Sequence, residues 1–418
     1  MNAPVHAVPG GADAFLARYR GLRDRLPGDL AARDAAAEAF AATGLPSVKS
    51  EVWRYTSLRP LADIAFQEPL TEVSQAPLVG PLPDLPRLVL IDGRYQPGLS
   101  SPPEGVTVTT FARTPRFETA GADLPMVALN TMLAEDGIQL HVAKGIAAGT
   151  VLVLAYTPDG HRPVDFHPRH AIILEAGAQL SLVEITRGEG TYLHNAVTTV
   201  HVAEGATLTH ARLQQESTDA FHLNTTIATI AERGIYDTFV LTLGARLART
   251  EIHARLAGPH AAVHLNGAQL LDGNQHADIT TIVAHDAPNC ASRQTVKNVL
   301  DGRSRGVFQG KIEVARAAQK TDGYQMNQAL LLSPHAEIDA KPQLEIYADD
   351  VKCSHGATVG ELDADQLFFL RSRGIPLAAA RAILVRAFLT EALDVVHDEA
   401  ARSLMEQAIE SWWERKPE

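Results

Sequence analysis

The run Tyr347-Ala348-Asp349-Asp350-Val351-Lys352-Cys353-Ser354-His355-Gly356-Ala357-Thr358 brings a carboxylate, a thiol and an imidazole into one short stretch. On a strand, side chains two apart share a face. Asp349, Cys353 and His355 are therefore expected to point the same way, with Cys353 and His355 about 7 Å apart at Cα. Oxygen, sulfur and nitrogen donors together suit iron, zinc or iron–sulfur species. A closed metal site takes about four ligands, so this set reads as open, to be completed by another chain or by cargo. The same residues admit a structural reading, with Cys353 a small buried hydrophobe and His355 a hydrogen-bonding residue beside Gly356. Cys290, beside Asn289 and without another ligand type next to it, reads as buried.

No self-sufficient catalytic motif stands beside this segment. Gly306-Val307-Phe308-Gln309-Gly310-Lys311-Ile312 is one residue too short between its glycines for a phosphate-binding loop, and it carries Ile where Ser or Thr should reach magnesium, so no nucleotide site is read here. Gly188-Glu189-Gly190 lacks the third glycine of a dinucleotide turn, and no Gly-x-Ser-x-Gly elbow occurs. Histidines crowd the interval His141 to His285 without His-Glu-x-x-His or paired Cys/His spacing. They are expected on the solvent side of strands. Trp53 and Tyr55, flanking Arg54, are expected to pack a short extended segment onto the body. Arg371 and Arg373 sit where a helix ends, favourable to its negative terminus and available to a partner's carboxylates.

The elements that must position these groups follow from composition and periodicity. The chain has 418 residues, 45% hydrophobic, with Lys+Arg 37 against Asp+Glu 49 and a net charge of -12. An acidic balance without basic blocks argues against nucleic acid and against an anionic membrane surface. No run approaches the roughly 20 apolar residues of a spanning helix. Two cysteines exclude a disulfide framework, and the first residues show no apolar core after a basic start, so a reduced cytosol is expected.

Phe15, Tyr19, Leu22 and Leu26 trace one helical stripe, and a second helix is expected from Asp29 to Ala42, after Pro27-Gly28. Leu88 to Ile91 reads as a strand and Leu124 to Glu135 as a brief helix. From Ile138 to about Tyr347 apolar and polar residues alternate in Val-, Ile-, Leu- and Thr-rich runs. Gly177-Ala-Gln-Leu180, Gly205-Ala-Thr-Leu208, Gly244-Ala-Arg-Leu247 and Gly267-Ala-Gln-Leu270 each read as a turn into a strand. Their irregular spacing suits a coiled β-solenoid rather than a propeller. Helical periodicity returns at Asp363 to Arg373, Leu377 to His397 and Asp398 to Glu414. The expected fold is mainly β, a solenoid core flanked by N-terminal and C-terminal helical regions. Its parts are a helical region at 1–60, a mixed connecting region at 61–137, the solenoid at 138–358 and a helical domain at 359–418.

Gly310-Lys-Ile-Glu-Val314, Ala318-Gln-Lys-Thr-Asp-Gly323, Lys341-Pro-Gln-Leu-Glu-Ile346, Asp349 to Thr358 and Leu367-Phe-Phe-Leu-Arg-Ser-Arg-Gly-Ile375 together resemble the SufB/SufD family of iron–sulfur cluster assembly proteins. The similarity extends to Glu51-Val-Trp-Arg-Tyr-Thr-Ser-Leu58, and Cys353-Ser-His355-Gly-Ala-Thr358 follows the SufD branch more than the SufB branch. The resemblance implies a right-handed parallel β-helix core, pairing with SufB through that core, and docking of the SufC ATPase by the C-terminal helices. Phe368, Arg371, Arg373, Arg386 and Phe388 are the residues expected to meet SufC. It further implies a scaffold without turnover of its own, in which His355, with Cys353 beside it and Asp349 as a further donor, contributes to iron or a nascent cluster at the SufB interface. Reduced flavin is associated with such complexes, and no residue here places it. Pairing of two copies in the absence of SufB is left open by the sequence. Two other classes stand beside this one: a β-helix polysaccharide lyase or hydrolase, which needs grouped carboxylates that the adjacent Asp349 and Asp350 do not supply, and a purely structural partner subunit.

Overall fold

The computed structural model describes residues 11–68, 82–158 and 162–414. Alternation with period two commits each run to a strand that hides one face. Successive runs stack in parallel on alternate sides of a common interior. The first sheet runs Arg94–Tyr95, Arg87–Ile91, Ala147–Thr157, Gln179–Gly188, Thr207–Glu216, Ile235–Thr242, Ala262–Leu271, Ala291–Leu300, Asp322–Leu331 and Lys352–Gly360. The second runs Val106–Thr110, Ile138–Val142, Arg169–Leu174, Tyr192–Val202, Phe221–Ile230, Leu247–Leu256, His276–His285, Arg305–Val314 and Glu337–Ile346, with Val164–Phe166 beside Tyr192–Val202. Among the described strands, only the two that open the sheets, Arg94–Tyr95 and Val106–Thr110, pair antiparallel. The protein is thus mainly β, a β-solenoid flanked by helices at both ends.

The solenoid takes in Arg87–Ile91, well upstream of Ile138, because that strand pairs in register with Leu152–Tyr156. Gly177 (φ 69°) and Gly205 (φ 63°) make the left-handed turns that the Gly-Ala pattern announces. Gly267 does not. It lies inside Ala262–Leu271, where an added Cβ would meet the Val240 carbonyl oxygen and Ile279 Cδ1 at 3.0 Å, so close approach rather than a turn selects glycine there. The Gly306–Lys311 run is likewise strand, within Arg305–Val314.

The interior is divided lengthwise. Along one side Leu180, Leu208, Tyr236 and Val263 stack in register and face Val202, Ile230 and Leu256, all buried. Each such side chain contributes about 1.5–3 kcal/mol by leaving water. The other side is polar. Glu184, Arg212, Asn224 and Thr226 bond to one another across the interior, and Gln214, Glu216, His194 and His222 form a second group. The expectation of solvent-facing histidines is therefore corrected: His167, His194, His210, His222 and His285 are buried, because carboxylate, amide and hydroxyl partners inside the coil replace water.

Helices Asp13–Leu22 and Leu30–Thr43, the latter capped by Asp29 accepting from the Ala31 amide at 2.9 Å, lay Phe15, Tyr19, Leu22 and Phe40 on Leu193, Phe221 and Leu247 of the second sheet. On the opposite side Leu377–Leu393 and Glu399–Glu414 place Val385, Leu389, Met405 and Trp412 on Ala211, Leu213, Phe239 and Val299 of the first sheet. Asp398 fastens the second of these helices, accepting from the Thr150 and Ser181 hydroxyls at 2.6 and 2.8 Å and from the Ala401 amide. Among the described residues no helix is long and apolar enough to cross a membrane.

Candidate functional site

Lys352–Gly360 closes the first sheet and is paired on one side only, with Asp322–Leu331; Glu337–Ile346 closes the second in the same way. The solenoid therefore ends on two edge strands whose inward residues are not covered by a further coil. Cys353 stands opposite Gly323 and His355 opposite Gln325. The column behind His355 is inward-facing, since Gln325 is in register with Gln294 and both are buried. The Gln325 side-chain amide has no partner among the described residues, so a polar group lies unsatisfied directly behind His355.

Cys353 is half-buried beside Ile312, Val314 and Ala318, and a Cβ on Gly323 would stand 3.3 Å from its sulfur, so glycine leaves room for the thiol. Burial pushes that thiol up, opposed by the Gly323 backbone hydrogen bond. His355 is exposed. The two residues do share a face, two positions apart on one strand. Asp349 does not join them by that route: it lies in the bend before Lys352, where strand alternation has not begun. The same strand edges a cavity of about 700 Å³, walled by Asp237, His264, Arg293, Cys353, Ser354 and His397. Within it Arg293 pairs with Asp322 at 2.8 Å and His264 with Asp237.

The residues expected to meet a partner are distributed over two helices. Phe368, on Ala364–Ser372, is 73% exposed. Arg371 is also exposed, and Arg373 lies over the Phe369 ring, 3.4 Å from its centroid. On Leu377–Leu393, Arg386 pairs with Glu410 at 2.6 Å. Phe388 turns inward, packed against the apolar layer and 4.5 Å from Lys297 Nζ.

Sequence reasoning missed the buried polar interior. A signal was available: the 28-residue interval that separates Gly177 from Gly205 also separates Glu184 from Arg212 and His194 from His222, and register stacks each pair. Trp53 packs as expected, buried against Arg249, whose guanidinium lies 4.0 Å from the ring centroid.

The fold is thus a parallel β-solenoid with helical layers on both flanks and an uncapped final coil bearing Cys353 and His355. Residues 157–388 match the family model described as "SUF system FeS cluster assembly, SufBD core domain". The chain is 34% identical to the iron-sulfur cluster assembly protein SufD of Escherichia coli over 86% of its length and 87% of the relative's. It is 31% identical to a SufBD family protein of Synechocystis, covering 90% of this chain and 89% of that one. Identity is also 31% to the chloroplastic protein ABCI7 of Arabidopsis thaliana, over 87% and 81%. The chain belongs to the SufBD family of iron–sulfur cluster assembly proteins, as a SufD-like member.

Proposed function

We propose that this chain is the non-ATPase scaffold subunit of a Suf-type assembly machine in a reduced cytosol. It pairs with SufB through the open end of the solenoid and offers residues 359–418 to the SufC ATPase. His355 is its contribution to a site, shared with SufB, where iron or a nascent cluster is held as cargo. The observation that carries this reading is the exposed imidazole of His355 beside the Cys353 thiol on an edge strand, a donor set too small to close on itself. The exposed Phe368 and Phe369 on Ala364–Ser372 support a docking role for the C-terminal helices, since paired large aromatics in water mark contact surfaces. Catalytic turnover is assigned to the partner ATPase, and flavin is assigned to no residue of this chain.

The test is co-purification with SufB and SufC, followed by anaerobic cluster reconstitution. The His355→Ala complex is expected to lose iron content and visible absorbance, and retention of both would remove the assigned role. A second reading is favoured by the apolar packing of Cys353, in which this strand only stabilises the last coil. On that reading His355→Ala lowers thermal stability and leaves assembly intact at matched complex levels.

A further inference from the structure

A second donor set lies inside the solenoid. His194 and His222 occupy matching positions on adjacent coils of the second sheet, their ring centroids 4.9 Å apart and their planes at 82°. From the first sheet Glu216 reaches between them, with carboxylate oxygens 3.3 Å from His194 Nδ1 and 2.8 Å from His222 Nδ1. One ligand atom from each of the three lies within 4.8 Å of the other two, and all three residues are buried.

The charge balance here is unusual for a buried acid. Burial penalises a carboxylate's charge, and here only the two imidazoles, rather than a fixed cation, stand against the Glu216 oxygens. Glu184, also in this polar interior, has Arg212 at 3.5 Å as a fixed cation. Among the described residues no lysine or arginine ion-pairs with Glu216. Its other contacts are the Gln214 amide, donating at 2.7 Å, and the Tyr192 hydroxyl, and His222 Nδ1 makes no well-formed hydrogen bond despite its approach to the carboxylate. A buried carboxylate balanced only by ring nitrogens carries an electrostatic demand that a cation meets.

We propose that His194, Glu216 and His222 form a site for a divalent transition metal of the zinc or ferrous class. Two imidazoles and one carboxylate are a donor set that both ions accept. An ion about 2.0–2.1 Å from tetrahedral donors spaces them about 3.3 Å apart, which the Glu216 and His194 atoms already match. Gln214 orients the carboxylate from behind, as outer hydrogen bonds do in metal sites. Glu216 also borders a cavity of about 280 Å³ lined by Thr218, Asp272, Gln275 and Trp412, the nearest open space to the set, although neither histidine lines it. The site is separate from the open end. Five strand spacings of about 4.8 Å, roughly 24 Å, lie between Thr207–Glu216 and Lys352–Gly360.

The full chain, stripped with chelator and dialysed, is titrated anaerobically with Co²⁺ as the visible probe, then with Zn²⁺ and Fe²⁺ in competition. One Co²⁺ per chain is expected, with ligand-field bands and no thiolate charge-transfer band, since no sulfur belongs to the set. Either Zn²⁺ or Fe²⁺ should displace it, and whichever does so at lower concentration names the preferred ion. The Cys353→Ser/His355→Ala double variant should bind equally, while His222→Gln should weaken binding about 100-fold or more. Because His222→Gln alters a packed interior, Glu216→Gln, close in shape, is titrated beside it with circular dichroism confirming the fold. Absence of a saturable site, loss of the bands in the double variant, or unchanged binding in a folded Glu216→Gln chain would each overturn the assignment.

Discussion

Lys297 and Glu391 join the solenoid to its C-terminal helical layer: the Lys297 ammonium lies 2.5 Å from the Glu391 carboxylate and donates to the Phe388 carbonyl at 2.8 Å, with the Phe388 ring beside it. The two partners are unequal, since the lysine side chain is 3% exposed and the glutamate 74%. Lys297→Ala removes a buried donor and the aliphatic stem that packs with it, so it should cost about 1–3 kcal/mol. Glu391→Gln keeps an acceptor in water and should cost under about 1 kcal/mol. Hydrogen exchange over residues 377–414 reads both, with faster exchange expected for Lys297→Ala alone; equal protection in the two variants would refute the asymmetry.

His355→Ala should leave the isolated chain as stable as the parent, within about 0.5 kcal/mol, because the imidazole is exposed on an edge strand. Cys353→Ala should cost about 1 kcal/mol, because its sulfur is half-buried among Ile312, Val314 and Ala318. Urea midpoints for the two variants separate a role in assembly from a role in packing. A His355→Ala chain that unfolds well before Cys353→Ala would point to packing for both.

Trp53 holds the N-terminal segment on the second sheet through the Arg249 guanidinium, 4.0 Å from its ring centroid. Arg249 is itself fixed by Glu251 at 3.0 Å, by Asp278, and by donation to the Val52 carbonyl at 3.1 Å. Trp53→Ala opens a large void and bares a buried cation, so a loss of about 3–5 kcal/mol is expected, with Trp53→Phe losing about half as much. Denaturation with an unchanged m-value measures both. A loss under about 1 kcal/mol for the alanine variant would show that the segment is not anchored there.

The solenoid was legible in the sequence because period-two alternation and Gly-Ala turns are local signals, and Gly177 and Gly205 turn where that pattern says. The helices were legible for the same reason, although Asp29, expected as the first residue of the second, caps it instead. What alternation cannot reveal is which face is covered. His194 reads as a solvent-side residue along its own strand, and only Glu216 from the opposite sheet makes that side an interior. The strand argument for Asp349 stops short for another reason. The shared-face argument assumes a strand, and the bend at Asp349 and Asp350 precedes it. Gly267 shows the limit of motif matching, since the same tetrapeptide pattern serves a turn at Gly177 and a close strand approach at Gly267.

The buried histidines also set the response to acid. Burial pushes His285, bonded to the Ser292 hydroxyl at 2.9 Å, down to about 4, and burial with the neighbouring Arg212 does the same for His210. His167, His170 and His276 are lowered as well, chiefly by burial, whereas His201 is raised by its hydrogen bond to Glu118 and acts in the opposite sense. An unfolded histidine titrates near 6.5, so between about pH 6.5 and 4 the unfolded chain binds protons that the folded interior refuses. Stability must then fall as pH falls through that window, by about 1.4 kcal/mol per pH unit for each such histidine, while above 6.5 these groups contribute no slope. Five lowered histidines outweigh one raised. Glu184 and Glu216, held low by their cationic or imidazole neighbours against the effect of burial, add their loss only below the usual carboxylate range. Urea midpoints should be level from pH 8 to 7 and drop steadily from 6.5 to 4.5, and His285→Gln, which keeps a donor for Ser292, should remove one histidine's share of that slope. A level midpoint down to pH 5, or a slope identical in His285→Gln, would show that the interior accepts these protons after all.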